Sequence, residues 1–309
     1  MTHQFTREDI TFKANGLNLS GWLYQPESKN KMPAIIMAHG YSCVKELYLD
    51  RYAEVFAKAG FVVLAYDHRN FGDSEAVTER EIDPQAQVAD WRDAITFMQT
   101  LPFVDDNQIG IWGTSLAGGH VLVVGALDKR VKCIVSLVPT ISGSRNIARR
   151  IPIDKLETLN AEFKKERIRI YQGEKAKTVP VLSDELLKQP FNDNRNDYRA
   201  LFDSYYAPQS EQWRFRNVKN FITLLSLENY ANYNPEMYLN YISPTPILMI
   251  VAEHDTVTMT EDELHVYSQL NEPKALKIIK GGHFTAYHEG LDDVANASLE
   301  WFKRWLIVS

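Results

Sequence analysis

Three residues, set apart by their surroundings, could together carry out acyl transfer. They are Ser115 in GIWGTSLAGGH (110–120), Asp255 in MIVAEHDTVT (249–258) and His283 in IIKGGHFTAYH (278–288). A serine hydroxyl is a weak nucleophile until a histidine takes its proton. The histidine in turn needs a carboxylate to fix its tautomer and stabilise its charge. Ser115 lies between the apolar runs IGIWG and VLVVGAL, with Gly113 two residues before it and Ala117 two after. Small residues there allow a turn so tight that bulkier side chains would clash, a nucleophile elbow with alanine where the last glycine usually stands. Leu116, opening the following helix, would turn its backbone N–H toward a developing oxyanion. On this stretch alone, a serine capping a helix after a strand is the plain alternative.

Strand ends must bring these side chains together. Apolar runs at 33–39, 61–67, 109–113, 131–138, 245–252 and 275–281 are short, rich in β-branched residues and bounded by Gly, Pro, Asp or His. Helical periodicity fills 46–59, 84–100, 116–127, 261–270 and 291–306, and Thr260 with Glu263 reads as a capping box for the fourth. This alternation predicts an α/β fold, a parallel sheet wrapped by helices, with antiparallel edge strands added by residues 10–25. Parallel strands place their C-terminal ends along one edge, so Ser115, Asp255 and His283 are expected to emerge there together, in that chain order. The loop SLVPTISG, the other place for the acid, contains no acidic residue. His288 ranks behind His283 as base, Glu253 would face away, and His254 would turn aside or pack near the acid.

The stretch AHGYSCVKE (38–46) ends a strand in His-Gly. Gly40 lets the backbone turn, and Tyr41 would supply a second N–H for the oxyanion. The His39 side chain reads as a satisfied core histidine that also borders the substrate pocket. Cys43 reads as a small hydrophobe, since no elbow surrounds it. YDHRNFGDSE (66–75) looks like a structured turn with Arg69 as a partner for Asp67. About a hundred residues then interrupt the strand rhythm. Residues 154–170 form an amphipathic pattern with Asp154 and Glu157 as its capping box, and KKERIRIYQGEKAK (164–177) reads as exposed surface. Twelve of the chain's 35 aromatics fall in 191–241. The expected organisation is a core of residues 1–140 and 242–309 with a helical cap at 141–241. Trp213, Tyr205 and Tyr206 are expected to line a roomy apolar pocket.

The 309 residues carry a net charge of −6 and no basic block, which argues against nucleic acid or an anionic membrane as partner. Cys43 and Cys133 make neither a disulfide framework nor a zinc spacing. No signal segment opens the sequence and no run approaches membrane-spanning length, so a cytoplasmic protein is expected. The chemistry calls for no metal and no organic cofactor.

With HGY, D-x-R-x-x-G-x-S, GTSLAGG, HD and GGH in register, the chain resembles the α/β-hydrolase family over nearly its whole length. SCVKELYLDRYAEVFAKAGFVVLAYDHRNFGDSE and GIWGTSLAGGHVLVVGALDKRVKCIVSLVPTISG look like a subgroup with fungal and bacterial members, among them polyketide transferases and thiohydrolases. The resemblance implies an eight-stranded, mostly parallel sheet with a helical cap inserted after strand six. It also implies Ser115 as nucleophile, His283 as base, Asp255 as acid, and Tyr41 and Leu116 as N–H donors. The expected substrate is a small-molecule ester or thioester of an apolar acyl group, with an acyl-carrier protein as a candidate donor. An acyltransferase using the same acyl-enzyme is the neighbouring expectation, and a non-catalytic small-molecule receptor is the third. A dehalogenase or epoxide hydrolase would want aspartate where Ser115 stands.

Overall fold

The computed structural model describes residues 2–182 and 213–307. Asn15 and Gly16, both at positive φ (47° and 85°), make the turn that folds β1 (Phe5–Ala14) antiparallel onto β2 (Leu17–Pro26). Strand β3 (Met32–Ala38), helix α1 (Leu49–Lys58), β4 (Val62–Tyr66), α2 (Pro84–Thr100), β5 (Val104–Thr114), α3 (Leu116–Leu127) and β6 (Val131–Leu137) follow. The main sheet resumes at β9 (Ile247–Ala252) and finishes with α7 (Thr260–Gln269), β10 (Lys274–Ile279) and α8 (Leu291–Leu306). Its eight strands run in the order β1-β2-β4-β3-β5-β6-β9-β10. The pairs from β4 through β10 are all parallel, as the alternating sequence pattern requires.

Period-two alternation divides the core between the two faces. In β3, Ala34, Ile36 and Ala38 belong to the core layer that also holds apolar residues of α2, α3 and α7, whereas Ile35 and Met37 belong to the layer shared with α1 and α8. In β4, Val62, Leu64 and Tyr66 join the first layer, and Val63 and Ala65 the second. Both faces of these strands are covered, so they read as unbroken apolar runs. Asp83 caps α2 by accepting the Gln85 and Ala86 amides, and Pro84 takes the first turn, where its missing N–H costs nothing.

Between β6 and β9 the chain leaves the sheet. The described part contains α4 (Gly143–Arg150), α5 (Ile153–Tyr171), the two-residue strands β7 (Thr178–Val179) and β8 (Ile222–Thr223), α6 (Leu224–Ala231) and a 3₁₀ turn at Pro235–Tyr241. Two local expectations are corrected, and a third, the exposed run 164–177, holds but for one residue. Pro152, with no side-chain acceptor, occupies the cap position of α5, so Asp154 and Glu157 form no capping box. Within the run 164–177, Glu166 is buried and accepts from Arg169 at 2.6 Å and from the Lys177 amide at 2.5 Å. At α7 the cap position is Met259. Thr260 Oγ1 instead donates to the Ala252 carbonyl (2.7 Å) and accepts the Asp255 amide (2.9 Å), while Glu263 turns into the interior.

The 66–75 turn also pairs differently from expectation. Arg69 binds Asp90 on α2, with Nε at 2.7 Å from Oδ2, and not Asp67. Asp67 accepts the Lys45 ammonium at 2.6 Å and the Lys45 amide at 2.7 Å. Gly72, at φ 58°, is what lets the turn wrap this carboxylate: a Cβ there would sit 2.1 Å from Asp67 Oδ2.

Candidate active site

β5 runs into α3 through Ser115, whose backbone has φ 58° and ψ −117°. A non-glycine residue held in that region stores strain, which a sharp strand-to-helix turn imposes. Its amide donates to the Leu137 carbonyl of β6 at 2.9 Å, and its carbonyl accepts from Thr140 at 2.9 Å. Gly113 answers the close approach: a Cβ there would lie 2.1 Å from the Ala117 carbonyl oxygen. Gly40, after β3, passes equally near, since a Cβ would lie 2.6 Å from Ser115 Cβ. The backbone of Gly40 and Tyr41 is thus carried against the serine. Leu116 is the first residue of α3, so its amide lies outside the helix's own hydrogen bonds.

The loops after β9 and β10 bring the other two groups to the same edge. His283 Nε2 is 3.1 Å from Ser115 Oγ, and His283 Nδ1 is 2.6 Å from Asp255 Oδ2. All three side chains are buried. Asp255 Oδ1 accepts the amides of Val257 and Thr258, each at 2.8 Å, and Thr258 Oγ1 lies 2.8 Å from Oδ2. Burial works against the Asp255 charge, but the His283 charge and hydrogen bond, together with the Thr258 donors, hold its carboxyl below the usual carboxylate range. Glu253 and His254 are exposed and face one another at 3.8 Å, away from this cluster.

Ser115 and His283 open into a cavity of about 230 Å³, whose walls include Leu47, Ile147, Val181, Leu182, Ile222 and Leu227. His39, Tyr41, Cys43 and His288 also line it. Burial pushes the Cys43 thiol up to about 12, so it stays a neutral thiol. Trp213 does not line the cavity. Its ring stacks with the Arg214 guanidinium at 4.4 Å, Arg214 is anchored on Asp50 at 2.6 Å, and the indole remains 42% exposed. Tyr205 and Tyr206 lie outside the described residues. Of the aromatics predicted for 191–241, Tyr230 borders the cavity, whereas Phe215, Tyr233 and Tyr238 pack into the core. Sequence patterns single out neither Thr258 nor Tyr287, and they suggest Glu263 only as the capping-box partner of Thr260. Thr258, three residues after Asp255, has the spacing of a side chain that folds back on an Asp turn, and that was the available signal.

His39 accepts the Gly40 amide at Nδ1 (2.7 Å) and reaches the Leu47 carbonyl through Nε2 (2.9 Å), an arrangement only the neutral ring satisfies. Burial, the largest influence, lowers it to about 4 and the neighbouring His68 to about 3. The unfolded chain takes up these protons near pH 6.5 while the folded chain does not. Stability therefore falls as pH drops below that point, by about 1.4 kcal/mol per pH unit for each ring, down to its folded value. Urea unfolding at pH 7 and pH 5 is expected to show a larger loss for the wild type than for His68→Gln, by about 1–2 kcal/mol. Equal losses would refute the assignment.

Among the described residues, no group of three His, Cys, Asp or Glu is arranged to hold a metal ion. None of the helices there is long and apolar enough to cross a membrane. Residues 15–285 match the X-Pro dipeptidyl-peptidase (S15) family. The chain belongs to the S15 family. A thiohydrolase of Eupenicillium brefeldianum is 33% identical to this S15 chain over 90% of its length and 87% of the relative's. Polyketide transferase grgF of a Penicillium species is 30% identical over 96% of both. The solved structure of the α/β hydrolase GrgF from Penicillium sp. sh18 superposes with a TM-score of 0.83, at 27% identity, over 98% of this chain and all of that one. The S15 chain is thus an α/β-hydrolase-type enzyme of the hydrolase and acyltransferase kind.

Proposed function

We propose that the protein is a serine hydrolase cleaving ester or thioester bonds of small apolar acyl compounds. What carries this reading is the continuous hydroxyl–imidazole–carboxylate chain opening onto a cavity walled by aliphatic side chains. Asp255 accepts the Nδ1 proton of His283, which leaves Nε2 to take the proton from Ser115 Oγ as the oxygen attacks the carbonyl carbon. The amides of Leu116 and Tyr41 receive the tetrahedral oxyanion, and each such donor supplies about 2.7–4 kcal/mol. His283 then protonates the departing alcohol or thiol, and water resolves the acyl-serine with His283 again as base.

Residues 141–241 serve in this reading as a cap that shapes the acyl pocket. Ile147, from α4, and Leu227, from α6, both reach into the cavity, which supports that role. The Penicillium relative, a polyketide transferase, supports a second outcome for the same intermediate, capture by an alcohol acceptor in place of water.

Intact-mass spectrometry after exposure to a fluorophosphonate, and separately to p-nitrophenyl and thioester acyl donors, tests the proposal. The wild type should gain the mass of one adduct and turn over a donor, while Ser115→Ala should do neither. Product ratios with added alcohol would separate hydrolysis from transfer. Folded wild type that takes no adduct from either reagent would instead favour a ligand-binding protein without turnover.

A further inference from the structure

We propose that Glu263 holds a proton at neutral pH and, through Thr258, acts as a positioning residue for the carboxylate of Asp255. The proposal rests on the reading of Ser115, His283 and Asp255 given above. Glu263 lies on α7 and is fully buried. Its Oε1 is 2.8 Å from Thr258 Oγ1, and the same hydroxyl is 2.8 Å from Asp255 Oδ2. One hydroxyl thus stands between two carboxyl groups with a single proton to give.

Counting donors decides where that proton goes. Asp255 meets three donors whatever Thr258 does, the Val257 and Thr258 amides on Oδ1 and His283 Nδ1 on Oδ2, and the Thr258 hydroxyl lies 2.8 Å from Oδ2 as well. A carboxyl group so surrounded is an anion. Thr258 therefore donates to Asp255, and its oxygen can meet Glu263 Oε1 only as an acceptor. Glu263 must supply the hydrogen.

The surroundings agree. Glu263 Oε2 is buried without a hydrogen-bond partner, a costly place for charge. Asp255 faces Glu263 across Thr258, with His283 beyond it, and Glu261 and Asp262 share its helix. The nearby cations are engaged elsewhere. Arg145 and Arg149 of α4 pair with Asp262, and Arg150 donates to the Val257 carbonyl at 2.7 Å. Burial, reinforced by the Asp255 charge, raises the Glu263 carboxyl well above its usual range. With its oxygen held by this acid, the Thr258 hydroxyl has two acceptors left, the Val138 carbonyl at 3.3 Å and the Asp255 oxygen that also receives His283 at 2.8 Å, and the nearer, charged oxygen takes it.

Infrared spectroscopy of protein carrying carbon-13 only in glutamate tests the proton directly. At neutral pH the wild type should show a label-shifted carbonyl band of a protonated acid, and that band should vanish in Glu263→Gln. Should that variant not fold, Glu263→Asp removes the labelled group from the same position. The amide of Glu263→Gln can still donate to Thr258. Its kcat should stay within about threefold, with the acid limb of kcat/KM unmoved. Glu263→Leu has no such donor and should lose about tenfold in kcat with KM nearly constant. A missing band, or an acid limb displaced by roughly half a unit or more in Glu263→Gln, would mean an ionised Glu263 and overturn the proposal. The band needs no turnover. Absence of a fluorophosphonate adduct would remove the catalytic reading and leave the band, whereas absence of the band would leave the adduct.

Discussion

With alanine at position 115, turnover of an ester or thioester is expected to fall on the order of 10⁵–10⁶-fold, with the binding of apolar ligands preserved. The size follows from how the three side chains act together. In the proposed reaction Ser115 Oγ is the atom that bonds to carbon, and His283, 3.1 Å away, takes its proton. Oxyanion donors and the cavity alone sustain a residual rate on the order of 10³–10⁴ over water. Asp255→Asn should cost about 10⁴-fold, since an amide in place of the carboxylate favours the wrong imidazole tautomer. Combining the two replacements should cost no more than Ser115→Ala alone, because the residues act as a unit. Steady-state kinetics on the best donor, with a hydrophobic fluorescent probe to report cavity binding, would check both points. A fall of less than a hundredfold in Ser115→Ala would point to another nucleophile.

The largest expected effect on stability comes from Lys45→Met. The Lys45 ammonium is almost wholly buried, 2.6 Å from Asp67 and 2.8 Å from Asp73, with the Trp22 ring 5.4 Å beneath it. Burial opposes its charge, but Asp67, by charge and hydrogen bond, raises the lysine above its ordinary value. Methionine fills similar space and leaves the buried Asp67 carboxylate without its cation, at a cost of about 3–5 kcal/mol. Adding Asp67→Asn should return part of that loss, because an uncharged buried group needs no counter-ion. Urea unfolding of the two single variants and the double variant would measure the coupling. A loss below about 1 kcal/mol in Lys45→Met would show the pair to be dispensable.

Much of the fold and part of the site were legible in the residues themselves. The helix over Pro84–Thr100 carries its start in Asp83-Pro84, and β4 and β9 are apolar throughout because both faces are covered. The serine turn is visible because the close approach admits only small neighbours, and chain order then selects an acid and a base. Pairings made by long side chains were not legible. Arg69 could reach either Asp67 or Asp90, and the choice was made by Lys45, which is distant in sequence and already occupied Asp67. Thr260 and Glu263 have the spacing of a capping box, but the turn after Asp255 draws Thr260 to Ala252 and Glu263 inward. Trp213 belongs to the surface because Arg214 is held on Asp50, which no local pattern reveals. Aromatic density in one segment likewise says little about which rings face a cavity.

The junction between β6 and β9 bears on how this enzyme can diversify. Ile134 pairs directly with Ile247, so the whole intervening segment begins and ends at two adjacent strands. Loop-closure entropy rises only with the logarithm of length, and doubling such an excursion costs about 0.6 kcal/mol. Insertions and deletions there that spare Thr140, which donates to the Ser115 carbonyl, and Arg150, which donates to the Val257 carbonyl, leave the sheet register in place. On the proposed reading, descendants of one frame can therefore differ in acyl preference through changes confined to that excursion, at little cost to folding.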